Sequence, residues 1–485
     1  MSLLSSKRLI TCCAVLAAGM TLPTTALAQR DYFPSLQNTK GEATHDVPLG
    51  PIGAVVRIKW GSGRPVVVEL MKRGPGQRSG LDIGDEIVEV NGKKCPEYQR
   101  ANSTGGYGPP EVIGNAILEA QASSQKELVF KVLKKDGKVV DLEIKLPKRS
   151  NFTTTFPHED SFAREIIEAS SERLMELQKD NGSFGNDYCT AFSGLALLAS
   201  NDKKAARAAK QTARFLSDKY ELRGKSPDRK TLQTDQGSNW MVCQVGIFLA
   251  EYHLATGDKS VLKAIQDCCD RMASRIDPPT GRYGHGGTNL PYEGKGLVII
   301  NTHAHLMWAL AAHCGCKLDK EVWDLSMKCL DTATAGNHAI GYNFSARSGH
   351  QGGGRTGSLA CALRIGNLRL PRLTDMGTWL GDHYKEFTDA HAMTSMGIIY
   401  GTFGLKATHY QKWEEHMRYH QWMFALSTPE NWRQGSYYYG QKGNHGGDSY
   451  LGYQQVANFT NILLLTSYRD DTLWMLGNRK KEWLD

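Results

Sequence analysis

LMELQKDNGSFGNDYCTAFSGLALLA, residues 174–199, joins two kinds of helix across one glycine turn. Its first part closes a striped segment that opens near residue 162, with apolar and charged residues at helical spacing. Beyond Gly182 and Gly185 the pattern becomes an apolar run of small residues near 188–200. A striped helix keeps one face in water, whereas a helix that is apolar all round must be buried. The same alternation recurs down the chain. Striped segments are expected near 162–179, 202–220, 258–276, 319–335, 371–387 and 408–426. Apolar ones are expected near 188–200, 238–256, 296–313, 356–366, 391–405 and 451–468. Six buried helices inside six amphipathic ones predict a double ring, an (α/α)6 toroid over about 160–470 with a tail at 471–485. A superhelical solenoid of helical hairpins is the alternative.

N-terminal to this run the periodicity is that of strands. VVRIKW (55–60), PVVVELM (65–71), EIVEVNG (86–92) and a hairpin about Lys135-Asp136-Gly137 place a β-rich module at 46–148. One helix is expected after Pro109-Pro110. Gly80 and Gly84 permit turn dihedrals, Leu81, Ile83 and Ile87 read as core, and Asn91-Gly92 reads as a tight hairpin. The segment RGPGQRSGLDIGDEIVEVNG (73–92) resembles the core of a bacterial PDZ domain of the periplasmic-protease type. That resemblance implies capture of a peptide C-terminus by strand addition beside a loop holding Leu49, Gly50, Ile52 and Gly53. Pro51 removes one N–H donor from that loop, so docking within the chain stands as the other reading. The fold class expected is therefore multidomain: a β-rich PDZ-like domain, then an all-α double ring.

The chain has 485 residues, with 58 Lys+Arg against 50 Asp+Glu. Lys7-Arg8, an apolar stretch over 9–22 and Ala26-Leu27-Ala28 read as a signal peptide over residues 1–28. Its removal lowers the formal charge from +8 to +6 and implies a periplasmic or secreted protein with no membrane span left. The diffuse charge argues against a nucleic-acid partner. Nine of the 11 cysteines follow residue 28, and their odd number and dispersal predict structural thiols rather than a disulfide framework.

The 174–199 stretch is also similar to the repeat motif of the terpenoid-cyclase and prenyltransferase toroids. The acidic cyclase motifs DxDD and DDxxD have no counterpart, so the resemblance implies the fold and not that chemistry. A PDZ module joined to a toroid also resembles a secreted bacterial family, for which the likeness implies no activity.

In a double ring the inner helices run the same way, and their N-termini collect at one mouth. Positive helix ends there suit an anionic ligand. Expected catalytic residues at the mouth are His350, Arg355, His445, Asp448 and Tyr450. Expected ligand-binding residues are Trp240, His285, Tyr292, His303, Asp389, His391 and Tyr453. GHQGGGRT (349–356) fits a P-loop with Arg for Lys, but no Walker-B strand follows, leaving a flexible glycine loop beside Arg355. No metal and no cofactor is expected, since His303-x-His305 cannot face one way on a helix. Such a mouth suits a carbohydrate-active enzyme. As a polysaccharide lyase, Arg355 would neutralise a uronate, His350 or His445 would take the α-proton and Tyr450 would protonate the leaving oxygen. As a glycoside hydrolase, it would draw two acids from Asp187, Glu293, Asp389 and Asp448. The alternative is a non-catalytic scaffold that binds a peptide or glycan through its aromatic residues.

Overall fold

The computed structural model describes residues 44–59, 61–98, 108–222, 228–234, 237–344, 352–368, 370–387, 394–428 and 453–477. For 44–45, 292–293, 370, 394 and 453–454 it describes the backbone alone. The strands β1 (Thr44–Pro48), β2 (Ala54–Lys59), β3 (Val66–Leu70), β4 (Glu86–Val90), β5 (Lys93–Lys94), β6 (Glu127–Leu133) and β7 (Val139–Lys145) form one antiparallel sheet. Its order is β1-β2-β3-β4-β6-β7, with β5 hung on β4 through the Asn91-Gly92 turn. Asn91 and Gly92 both have positive φ, 49° and 74°, which matches the right-handed twist of a two-residue hairpin. Helix α1 (Pro109–Ala122) covers one face and buries Ile113 and Ile117 against the sheet. Leu81 and Ile87 are fully buried as expected, but Ile83 is 53% exposed. It sits at the tip of the turn between Gly80 and Gly84, where the chain has already left the core.

Twelve long helical segments follow among the described residues. The even-numbered ones are α2 (Ser161–Leu177), α4 (Lys203–Tyr220), α6 (Leu262–Arg275), α8 (Lys320–Ala333), α10 (Leu370–His383) and α12. Helix α12 runs in two parts, Tyr410–Tyr419 and Gln421–Ser427, broken at His420. The odd-numbered ones are α3 (Asp187–Ala199), α5 (Asn239–Thr256), α7 (Val298–His313), α9 (Gly353–Ile365), α11 (Thr394–Thr408) and α13 (Tyr453–Leu465). The even helices are striped. Helix α4, for example, buries Ala205, Ala209, Leu216 and Tyr220 on one side and leaves its lysines in water. The odd helices are buried nearly throughout. Each odd helix packs on the next, and α13 returns to α3, so the inner ring closes and the solenoid alternative is excluded. Side-chain oxygens of Asp160, Asn186, Asp202, Ser238 and Asp319 accept the first free amides of α2 to α5 and α8, which fixes where those helices begin.

The glycines of 352–357 have a packing role. Gly353, Gly354 and Gly357 lie inside α9 and face Phe387 and the α11 glycines. A Cβ on Gly354 would come within 3.0 Å of the Gly397 Cα, and one on Gly357 would strike the Tyr400 carbonyl. Small residues on both helices therefore let α9 and α11 touch backbone to backbone. The flexible ligand loop expected from Gly352 onward is instead the first turn of a helix.

The ring is closed at the C-terminal ends of the inner helices by the turn Trp474–Leu476. Glu251 of α5, fully buried, accepts the Trp474 and Met475 amides at 2.7 and 2.8 Å. Arg469 Nη1 donates to the Ser200 carbonyl at 2.8 Å at the end of α3. The helical body thus extends past the expected limit of 470 to 477, because Trp474 is the plug of its far end.

The sheet is bolted to the outside of α12. Arg149, in the linker, donates to Thr428 O and Oγ1 at 3.1 and 2.9 Å and lies over the Phe162 ring; burial pushes its guanidinium down to about 9. Tyr419 OH donates to Glu111 at 2.9 Å, and Gly114 lies so close to Trp422 that a Cβ would come within 2.6 Å of its carbonyl. The described residues fall within one compact unit.

Candidate functional site

The inner helices start at the end of the ring opposite the Trp474–Leu476 turn, where the sequence places the mouth. Tyr188, the second residue of α3, reaches Met396, the third of α11, with OH to Sδ at 3.0 Å. The loop from Gly281 to Leu297 is clamped over the start of α5. Asn239 Nδ2 donates to the Gly284 carbonyl at 2.9 Å and its backbone N–H donates to His285 O at 2.7 Å. Buried Arg275 holds that asparagine from behind, at 3.2 Å to Oδ1. The clamp brings two expected ligand-binding residues together: half-buried Trp240 donates its indole N–H to Nδ1 of exposed His285 at 3.1 Å. The bond makes Nδ1 the acceptor, so neutral His285 carries its proton on Nε2. The two rings lie 29° apart with centroids 6.3 Å apart.

Arg355 stands half-buried on the first turn of α9. Its Nε donates to the Ile340 carbonyl at 3.4 Å and its guanidinium lies 5.4 Å from the Tyr342 ring centre. Desolvation pushes it down to about 10, which leaves it charged at neutral pH. Gly352 makes room for it, since a Cβ there would come within 2.7 Å of Nη2.

His303, expected at the ligand, is fully buried and faces the ring axis, 4.9 Å from the Tyr400 ring. His305 points the other way, to Ser326 Oγ at 3.1 Å and the Trp323 ring on α8. Two residues turn a helix by about 200°, which separates the pair as the spacing predicted. Asp187 is buried and taken by Lys219 Nζ at 2.8 Å and Tyr220 OH at 2.9 Å, so it braces α3 to α4. Among the described residues, no group of three or more His, Cys, Asp or Glu is placed to hold a metal ion. His350, Asp389, His391, His445, Asp448 and Tyr450 lie outside the described residues, as do the side chains of Tyr292, Glu293 and Tyr453.

The loop expected to seat a peptide carboxylate is closed. Leu49, Gly50, Ile52 and Gly53 are buried, and a Cβ on Gly50 would strike the Ala425 carbonyl. The edge of β2 that a peptide would extend is paired with β1, from Thr44↔Lys59 to Pro48↔Val55. Strand β1 thus occupies the edge where the expected peptide would add, and the C-terminal end of α12 covers the loop.

Sequence reasoning missed Gln244 and Tyr400, which meet on the axis, OH to Oε1 at 2.6 Å. A signal existed for the first: Gln244 is the one amide inside the apolar run MVCQVGIFLA, 241–250.

The nine thiols after residue 28 are free, and all but half-buried Cys316 are buried. Burial pushes Cys316 and Cys329 up to about 11 and Cys95, Cys189 and Cys268 up to about 12. A thiolate is the reactive form. Native protein treated with a chromogenic disulfide reagent should therefore react slowly at all nine, and fully once unfolded in denaturant. Rapid reaction of several thiols in the native state would contradict this packing.

Over residues 163–477 the sequence matches a family described as a domain of unknown function, DUF6288. The chain belongs to the DUF6288 family. The match runs from the third residue of α2 to Gly477, just past the buried Trp474–Leu476 turn, so nearly all of the double ring of this DUF6288 member lies inside the matched span. No curated protein matches the chain. Among solved structures, it is similar to an unsaturated glucuronyl hydrolase specific for heparin, with 12% identity over 62% of this chain and 95% of that one, at a TM-score of 0.44. It is also similar to an inactive variant of an alpha-1,6-mannanase of Salegentibacter sp., with 11% identity over 63% and 98% and a TM-score of 0.44. A family 76 glycoside hydrolase from a bovine Bacteroides thetaiotaomicron strain shares 9% identity over 70% and 84%, with a TM-score of 0.46. These likenesses transfer no residue role to the DUF6288 chain. No described helix is long and apolar enough to cross a membrane.

Proposed function

We propose that this DUF6288 protein is an exported carbohydrate-active toroid that takes an acidic glycan at the mouth of its ring. The observation that carries the reading is the Trp240–His285 pair, a half-buried indole held at the rim by its own N–H. A fixed aromatic face with a polar edge suits stacking on a sugar ring. Arg355 adds a charged guanidinium able to pair a uronate carboxylate with two N–H donors. Asp187 is committed to Lys219 and Tyr220, which withdraws it from the two acids a hydrolase needs. The Trp240 N–H occupies Nδ1 of His285, so His285 orients the indole and the proton-transfer roles stay with His350 and His445.

The sheet reads as a PDZ-like module turned inward. Its Gly80–Gly84 turn and Asn91-Gly92 hairpin support the kinship, and the covered Leu49–Gly53 loop supports docking within the chain over peptide capture. The signal-peptide reading of residues 1–28, which lie outside the described residues, supplies the export.

The test is incubation of purified protein with acidic and neutral polysaccharides, following ultraviolet absorbance and new reducing ends together. Elimination raises both, because it leaves a conjugated double bond; hydrolysis raises only reducing ends. Capture without either signal, lost in Trp240→Ala, would mark the non-catalytic scaffold, a reading favoured by the Tyr188–Met396 contact that shuts the axis. No capture and no turnover on any glycan would overturn the proposal.

A further inference from the structure

The inner helices of the ring are in register. Phe192, Gln244, His303 and Ser358 are each the sixth residue of their helix, and Tyr400 and Phe459 are each the seventh. All six are fully buried, about 8 Å below the helix starts at 1.5 Å per residue. Five of them meet on the axis. Phe192 stacks on Phe459 with centroids 5.1 Å apart and lies 5.9 Å from Tyr400, which touches His303 and donates to Gln244. Ser358, at the same height, donates to Thr302 on α7. One half of this floor is aromatic hydrocarbon and the other is polar.

The polar half is not satisfied among the described residues. Neither ring nitrogen of His303 has a hydrogen-bond partner among the described residues, nor has the Gln244 amide nitrogen. A buried polar group left unmade is costly, and a packed aliphatic side chain in its place would cost nothing of the kind. Polar atoms kept at such a cost mark sites where local stability yields to function. One turn nearer the mouth, on the same two helices as Phe192 and Tyr400, stand Tyr188 and Met396. The Tyr188 O–H to Met396 sulfur bond closes the floor from above. Thioether sulfur is a weak acceptor, so this is a cover that a better hydrogen-bonding ligand can displace.

We propose that the His303–Gln244–Tyr400 floor is the inner subsite of the mouth and takes uncharged hydroxyl groups of the ligand after Tyr188 and Met396 part. The proposal rests on the glycan reading above and deepens it. A neutral imidazole offers one donor and one acceptor, and a hydroxyl offers the same in complement. The Gln244 N–H group adds a donor, while the Tyr400 oxygen, its hydrogen already given to Gln244, keeps acceptor capacity. No floor residue is charged, so the subsite suits a hydroxyl-rich ring rather than a carboxylate, which Arg355 meets at the rim. Phe192 and Phe459 supply the apolar wall that a sugar face packs against.

The test compares His303→Leu, His303→Gln and Trp240→Ala with the wild type, reading Tm and the affinity for an acidic oligosaccharide. His303→Leu should raise Tm, since it removes an unpaired buried imidazole, yet weaken capture at least tenfold. His303→Gln, which restores a donor and an acceptor, should retain more affinity than His303→Leu. A fall in Tm for His303→Leu would make His303 a packing residue and overturn the subsite. So would unchanged affinity in His303→Leu while Trp240→Ala loses capture, a result that leaves the rim reading intact. If the wild type captures no acidic or neutral oligosaccharide, the glycan reading fails and takes the subsite with it.

Discussion

Glu251→Ala should cost about 3–5 kcal/mol of stability, the largest single effect expected outside the mouth. The carboxylate is fully buried near the end of α5 and receives two backbone amides, those of Trp474 and Met475. Removing it leaves both N–H groups unpaired where water does not reach, at about 1–3 kcal/mol each. It also loosens the turn that closes the far end of the ring among the described residues, where Trp474 is fully buried and packs on His313 at 4.7 Å. Glu251→Gln, with one acceptor oxygen, should fall between the variant and the wild type. Urea unfolding monitored by tryptophan fluorescence reads both. A loss under about 1 kcal/mol for Glu251→Ala would mean that the turn is not the structural plug described.

Arg355→Ala should weaken capture of a uronate oligosaccharide about 10- to 100-fold, from the 1.5–3 kcal/mol typical of hydrogen bonds to a charged group. The guanidinium stays half-exposed while its neighbours desolvate it, which strengthens its attraction for a carboxylate. Arg355→Lys should recover only part of the loss, because an ammonium keeps the charge without the planar fork. A neutral oligosaccharide should be weakened much less. Equal loss on acidic and neutral ligands would assign Arg355 to holding Tyr342 and Ile340 rather than to the ligand.

The buried histidines make a third expectation. Burial pushes His303 down to about 3 and His420 down to about 4, and holds His416, whose Nε2 lies 2.7 Å from Thr402 Oγ1, well below the usual 6.5. Lys385 adds its charge against protonation of His420. The unfolded chain takes up these protons near pH 6.5, and the folded chain refuses them until much lower pH. Stability is therefore full above about pH 6.5 and declines as pH falls toward 4, by roughly 2–3 kcal/mol per histidine at about pH 4.5. Unfolding midpoints measured across that range should fall steadily. A flat profile would mean that these rings are hydrated.

The double ring was legible because a buried helix and a striped one differ in composition along their whole length. The 174–199 stretch shows that difference across a single turn, and each expected helix lies within a few residues of an observed one. Features made by ring closure were not legible. No local signal says that Phe192, Gln244, His303, Tyr400 and Phe459 share one level, since that follows only when helices 40 or more residues apart come into register. Trp474 looked like a tail because its partner, Glu251, is more than 200 residues away. The Gly352–Gly357 run was misread for the opposite reason. Glycine marks flexible loops and close helix contacts alike, and only the facing glycines of α11 decide between them. Ile83 reads as core by its type, but its place at a turn tip overrides type and leaves it exposed.

Trp240 and Arg355, both at the starts of inner helices, are proposed to take an acidic glycan together. Titration calorimetry with a panel of uronate-containing oligosaccharides, on the wild type and on a Trp240→Ala/Arg355→Ala double variant of unchanged Tm, tests it most directly. The wild type should bind at least one oligosaccharide saturably and the double variant none. Binding of equal strength by both proteins, or by neither, would contradict it.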